Sequence, residues 1–359
     1  MKRIVVVVAL LLVVGCPAPT APPPTATPAA PATWPSTVRL RGEAFASDWA
    51  VTIVVDNARD QLHAQSFVAT VDAALAEVTR QLSAWDRDSE VARFSAARHL
   101  RPLQVSAAAA VVVDIALDVA KNTDGAFEPT IGPLLDLWGF SPATRGKVTS
   151  PPSAAAIAVA KHRIGYHRIH VDSGALRKDD DDVTLDVTAL ADSAGAAAIA
   201  AILRERGFTN FLVDIAGEVV VSGHGEKRPW RVGINTPSSD ADPGDSVRQA
   251  VLVPASSSLL ALSTSGTYRN AWDKDGQRYS HIIDPGTGAP VVHDLVSCTI
   301  VGADVVVADA MSTACIVLGE DKTRAVLSAH YVGYDALFIR APTSTSFATT
   351  TTAGFPPAP

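Results

Sequence analysis

Two short runs hold the side chains best suited to chemistry. In RYSHIIDPGTGAP, residues 278–290, the imidazole of His281 precedes the carboxylate of Asp284, and Pro285, Gly286 and Gly288 bend the chain just after them. A histidine titrates near neutrality and can take a proton from a hydroxyl, and a neighbouring acid can orient the ring or the loop. Read alone, a His and an Asp in a Pro-Gly turn leave both a site and a plain turn open. In ADAMSTA, residues 308–314, Asp309 and Thr313 lie four apart and share a face if the run is helical. A carboxylate beside a hydroxyl offers hard oxygen ligands, which suit Mg²⁺ or Ca²⁺ rather than zinc. The alternative is that Asp309 only caps the helix, with Thr313 inside it.

Two further runs are weaker. STSGTYRN, residues 263–270, ends a strand-like stretch in small hydroxyl residues and a glycine, where backbone N–H groups can approach an anion. Tyr268 there either stacks on a planar ring or is simply buried. In DGAFEPTIGPLLDLWGF, residues 124–140, Phe127, Trp138 and Phe140 either floor an apolar pocket or belong to the core. The sequence contains no GxSxG, HExxH, P-loop or CxxC pair.

The elements that must position these residues alternate irregularly. WAVTIVV reads as a strand, and the apolar stripe from Phe67 to Leu82 as a helix. Further helices are expected in the runs that begin at Ser106, Ser153, Thr188, Val305 and Arg324. VTLDV, NFLVDIAGEVVVSG, WRVGIN, QAVLVP, LLALSTS and DALFIR read as strands. A strand-rich middle between helices favours an α+β fold in one compact domain.

Composition narrows the class. The chain has 359 residues and a formal net charge of −7, with no basic face for nucleic acid, so no nucleic-acid partner is expected. MKR followed by the apolar run IVVVVALLLVV reads as a secretory signal. VVGC resembles a lipobox, with Val14 in place of the usual small residue, and implies a signal peptide over 1–16, a lipidated Cys16 and a lipid anchor in the membrane. Residues 17–37 read as a Pro/Ala/Thr tether, 38–341 as the folded domain and 342–359 as a flexible tail. Cys298 and Cys315 read as buried free thiols, although the expected compartment permits a disulfide.

Taken in order, LSAWDRDSEVARFS, GAFEPTIGPLLDLWGF, LDVTALA, FLVDIAGEVVVSG, WRVGINTP, STSGTYRN, RYSHIIDPGTGAP and ADAMSTACIVLG resemble the FAD:protein FMN transferases, the ApbE-like flavin transferases. The resemblance implies an α+β, T-fold-related body with a central β-rich layer flanked by helices and FAD between two lobes. It implies a periplasmic, membrane-anchored enzyme that takes FAD as substrate and, with Mg²⁺ (Ca²⁺ possible), moves FMN onto a Thr or Ser of a target flavoprotein, releasing AMP. On this resemblance Asp309, Thr313 and the carbonyl of Ala189 are the metal ligands, and His281 is the catalytic base. Ser265, Gly266, Tyr268, Asp284, Thr287 and Asp192 lie along the FAD.

The chain departs from that pattern in several places. Asp192 and Ser193 stand where the family has Lys and Gly; Asp214, Ala216, Gly217 and Glu218 stand for its NLGGD run; and Phe45, Ala46 and Ser47 stand for MGT. Ser95 and Thr267 replace an Asn and an Asp. Two other outcomes therefore stay open: a relative that binds FAD or metal without transfer, and a metal-dependent FAD hydrolase giving FMN and AMP.

Overall fold

The computed structural model describes residues 33–98, 101–237, 247–253, 256–268, 270–343 and 346–358. The expected signal peptide, Cys16 and residues 17–32 of the expected tether lie outside the described residues.

Eight strands form one sheet: β1 Ser36–Ala44, β2 Ser47–Val55, β3 Phe211–Ile215, β4 Glu218–Gly223, β5 Ser256–Gly266, β6 Leu295–Gly302, β7 Asp335–Thr343 and β8 Ser346–Thr351. Their order in space is their order in the chain, and every neighbouring pair is antiparallel. The fold is therefore a meander with long insertions, and the insertions carry the chemistry. Helices α1 Val68–Leu82, α2 Ala107–Asn122 and α3 Ala191–Glu205 enter between β2 and β3, and α4 Val305–Leu318 follows β6.

Period-two alternation divides the sheet's side chains between two cores. Ala336 and Phe338 of β7 join the larger core with α1 to α4, while Leu337 and Ile339 face the other side. That other side is covered by a two-stranded ribbon, Trp230–Asn235 with Val247–Val253. The helices form for legible reasons. In α1, Val71, Leu75, Val78 and Leu82 recur at helical spacing and all are buried. Ser106 caps α2 by accepting from the Ala109 amide.

Four expectations change. Residues 342–359 are not a loose tail. Residues 346–351 pair with β7 as the last strand, and Phe355 is buried in the second core, because that face of the sheet needs apolar cover. The expected tether also ends early, since β1 begins at Ser36. VTLDV is not a strand. The Leu185 amide donates to Ser95 Oγ at 2.9 Å and the Asp186 amide to the Pro129 carbonyl at 2.7 Å, so side chains and loops satisfy this backbone instead of a ladder. Finally, Cys298 and Cys315 are not free thiols. Both are fully buried where α4 packs over β6, their Cα atoms are 6.4 Å apart, and they form a disulfide.

A smaller aromatic cluster contains Leu134, Trp138, Phe140 and Ile283. Trp138 stacks on Tyr279, and its indole N–H donates to the Gly288 carbonyl at 2.8 Å. Phe127, Trp138 and Phe140 are all buried, so of the two readings for them the core holds.

Phe355→Ala is expected to destabilise the protein by about 3 kcal/mol, because the site is buried between sheet and ribbon. Denaturant unfolding monitored by tryptophan fluorescence checks this, and an unchanged midpoint would mean that the C-terminal segment does not seal this core.

Candidate functional site

α4 begins at Asp304, whose carboxylate accepts from the amides of Val306 and Val307. The capping role is thus filled before Asp309, which lies buried well inside the helix with 6% of its surface exposed. Thr313 follows one turn later on the same face. Opposite them runs β5, whose Ser263 and Ser265 point to the same side by strand alternation. The contact between the two elements is a line of hydroxyls. Ser312 Oγ donates to the Asp309 carbonyl at 2.9 Å, Ser265 Oγ lies 2.7 Å from Ser312 Oγ, and Thr313 Oγ1 lies 3.0 Å from Ser265 Oγ.

Proton counting orients that line. A hydroxyl has one proton to give. The Ser312 proton goes to the Asp309 carbonyl, so Ser265 donates to Ser312 and Thr313 donates to Ser265. Thr313 Oγ1 keeps its lone pairs for another partner.

Three acids meet behind this line. Asp309 is pushed up to about 7 by burial, with the charge of Asp192 adding and the hydroxyls of Ser193 and Ser263 opposing. Asp192, in the first turn of α3, is pushed up to about 6 by burial. Glu218, at the start of β4 and 8% exposed, is raised by burial and by the nearby charge of Asp309. Asp309 Oδ2, Asp192 Oδ1 and Glu218 Oε2 are buried without a hydrogen-bond partner. Unpaired buried carboxylate oxygens are costly, and a cation would relieve them. Among the described residues no three His, Cys, Asp or Glu side chains converge closely enough to enclose a metal ion. The donor set fits a hard divalent cation only as part of a shell, with the remaining positions left for another molecule.

Ala189 lies in the turn Thr188–Leu190 just before α3 and is exposed. The turn is pinned from two sides: Thr188 Oγ1 accepts from the Ala84 amide at 3.1 Å, and its own amide donates to Asp186. Ser265 leads into Gly266, where a Cβ would come within 2.3 Å of the Tyr268 ring, so only glycine lets the tyrosine lie across the strand end.

His281 follows the hairpin Ala271–Lys274 with Gln277–Ser280. Its amide donates to the Asn270 carbonyl at 2.9 Å, and its Nδ1 lies 3.2 Å from the same oxygen. A carbonyl can only accept, so Nδ1 bears the proton and Nε2 is the free acceptor. Burial lowers the His281 pKa, the hydrogen bond to Asn270 opposes this in part, and the charge of Arg145 lowers it further, so the neutral ring is favoured. Asn270 is four residues beyond the end of β5, which places it within roughly 14 Å of Gly266. No hydrogen bond joins His281 to Asp309 or Thr313 among the described residues. Asp284 and Thr287 organise the following turn: Asp284 Oδ1 accepts from the Gly286 amide at 2.8 Å, and Thr287 Oγ1 accepts from the Ala289 amide at 3.3 Å.

A groove of about 830 Å³ lies elsewhere, on the ribbon side of the sheet, lined by Arg41, Asp48, Asp214, Arg231, Thr264 and Thr299 among others. It shares no lining residue with the α4–β5 line. The departures at hairpin tips have a backbone consequence. Ala46 and Ala216 both have left-handed backbones, at φ 60° and 56°, where the resemblance expects glycine. Sequence reading passed over Ser263, Ser312 and the burial of Glu218. The i, i+2 spacing of Ser263 and Ser265 was the available signal for the first.

The model of the ApbE family matches residues 45–338. A curated relative from Klebsiella pneumoniae (strain 342), named FAD:protein FMN transferase, is 37% identical over 325 residues, covering 89% of this chain and 87% of the relative. One of the same name from Vibrio cholerae is 35% identical over 263 residues, covering 73% of this chain and 76% of the relative. Among solved structures, the flavin transferase ApbE from Vibrio cholerae superposes with a TM-score of 0.76 at 30% identity, covering 89% of this chain and 98% of that one. The apo form of the Pseudomonas stutzeri flavinyl transferase ApbE gives 0.75 at 30% identity, covering 89% and 95%.

Because burial raises the Asp192 and Asp309 carboxyls to about 6 and about 7, the folded state holds protons that the unfolded chain, at the ordinary 3.8, releases earlier. Stability of the cation-free protein therefore falls as pH rises from about 4 to 7. Asp309→Asn removes one such charge and is expected to add about 1–3 kcal/mol at pH 8, with a smaller gain at pH 5. Denaturant unfolding with chelator at both pH values checks the sign, and a loss of stability at pH 8 would contradict it.

Proposed function

The chain belongs to the ApbE family, and from that membership we propose that it transfers the FMN moiety of FAD to a Thr or Ser hydroxyl of a target flavoprotein, forming a phosphoester and releasing AMP. The observation that carries the reading is the α4–β5 contact, where the unpartnered Asp309 Oδ2 and the available lone pairs of Thr313 belong to side chains one turn apart on the same face of α4. The names borne by the curated relatives support the same activity.

Asp309, Thr313 and the Ala189 carbonyl are the residues that would hold Mg²⁺, or Ca²⁺. Bound there, the ion supplies charge neutralisation on the phosphate oxygens. The rest falls to the chain's own groups. Ser265, Gly266 and Tyr268 at the strand end, Asp284 and Thr287 in the turn, and Asp192 on α3 line the path of FAD. Phosphoryl transfer depends mostly on such positioning. His281 Nε2 accepts the proton of the incoming hydroxyl while Nδ1 stays anchored on Asn270. The hydroxyl oxygen then forms the new P–O bond to the FMN phosphorus, and the bond from that phosphorus to the AMP half breaks.

The same reading places the protein on the periplasmic side of a bacterial membrane, held by a lipid on Cys16. The apolar leader before Gly15 supports this, and so does the internal disulfide, which suits an oxidising compartment.

The test is incubation with FAD, Mg²⁺ and a target protein carrying the acceptor Thr, followed by detection of flavin fluorescence on the denatured target. Covalent flavin is expected in wild type. Free FMN without flavinylated target would mark a hydrolase instead, and FAD binding without either product would mark a relative that only binds. Asp309→Ala is expected to lower the transfer rate at least 100-fold, and His281→Ala by about 10²–10⁴-fold. With Mg²⁺ saturating, so that Asp309 stays ionised, transfer is lost as pH falls through the His281 pKa, which burial holds below its ordinary value, and is flat above neutrality. An acid limb centred above pH 7 would remove His281 from the role of base.

A further inference from the structure

We propose that the Cys298–Cys315 disulfide is a positioning cross-link of the transfer site, fixing the height of α4 over β5 so that Asp309 and Thr313 present their oxygens together. The inference rests on the proposed transferase reading and concerns two residues to which that reading gives no role.

The argument begins with register. Ser265 on β5 pairs directly with Cys298 on β6. Directly paired residues of antiparallel strands project to the same face. The Ser265 hydroxyl and the Cys298 sulfur therefore rise side by side toward α4. On the helix, Ser265 meets Ser312 and Thr313, and Cys298 meets Cys315, two residues further on. The covalent bond and the hydroxyl line are adjacent rungs between one strand pair and one helical turn.

The rest of α4 is held by the fully buried Met311 and Ile316 and by His293, whose Nε2 lies 2.7 Å from the Ile316 carbonyl. The residues that flank the two oxygen donors, Ala308, Ala310, Ser312 and Ala314, are fully buried and small and give only shallow ridges there. Each hydroxyl of Ser263, Ser265, Ser312 and Thr313 can both give and accept, so a shifted helix can re-form an equivalent line. The disulfide has no equivalent partner in a shifted register. Its two cysteines are 17 residues apart, and the segment they close contains the Asp304 cap, Asp309 and Thr313. A disulfide serving only as a staple could lie anywhere in the sheet; this one closes a ring around both oxygen donors. Displacements on the order of 1 Å at such groups are enough to impair positioning.

The test compares the full chain with two variants: Cys298→Ser/Cys315→Ser, and Cys298→Val/Cys315→Ala, which refills the space without the bond. The unmutated chain prepared with both thiols reduced serves as a third sample that needs no substitution. Mn²⁺ is titrated by electron paramagnetic resonance in the presence of FAD, FAD is titrated separately with chelator, and transfer is followed against metal concentration. The expected result is Mn²⁺ affinity weakened about 10-fold, FAD affinity unchanged without metal, and transfer recovered at high metal. Mn²⁺ affinity equal to that of the oxidised protein, with only a lower melting temperature, would reduce the disulfide to a staple and overturn the inference. If the oxidised wild type binds no Mn²⁺ with FAD, the cation-dependent transferase reading fails first, and the inference with it.

Discussion

Burying a carboxylate beside a row of hydroxyls, with one of its oxygens left unpaired, is a costly arrangement, and much of the candidate site is organised around it. Asp309 sits one turn inside a helix that is apolar on nearly every side, and its polar company comes from the β5 seam, from Asp192 and Ser193 on α3 and from Glu218 on β4. Ser312 is committed to the Asp309 carbonyl rather than to its carboxylate. The direction of the hydroxyl line follows from that one bond, and the available lone pairs of Thr313 follow from the direction.

The antiparallel meander supplies the rigidity that the arrangement needs. β5 and β6 are interior strands of the eight, so the seam under α4 cannot fray from an edge. The insertions hang from this frame. The run that contains His281 leaves from the end of β5 and returns at β6, so the histidine and the seam belong to one connection. Its free nitrogen is decided by a single carbonyl, that of Asn270.

The acids also explain how a departure from the family pattern is tolerated. Asp192 stands where the resemblance expects a lysine, in the first turn of α3, where the helix dipole favours negative charge. Burial holds its pKa near 6, which softens its repulsion of Asp309 under mildly acidic conditions.

The residues by themselves determined the local pieces. The helical stripe of α1, the four-residue spacing of Asp309 and Thr313 and the hairpin strands around Ala216 all follow from short-range periodicity and turn chemistry. The motif order also determined the family, because those runs are long and specific. Only the folded chain decided which distant groups meet. Pairing of Ser265 with Cys298 depends on strand register, and closure of the Cys298–Cys315 bond depends on α4 lying over β6. The C-terminal Thr-rich run looked like a tail because its composition is that of a linker, yet β7 offered it an open edge and the second core a place for Phe355. VTLDV looked like a strand because its alternation is strand-like, yet Ser95 and Pro129 bond the amides that a ladder needs. In each case a contact distant in sequence outweighed the local preference, and such contacts leave no periodic trace in a single chain.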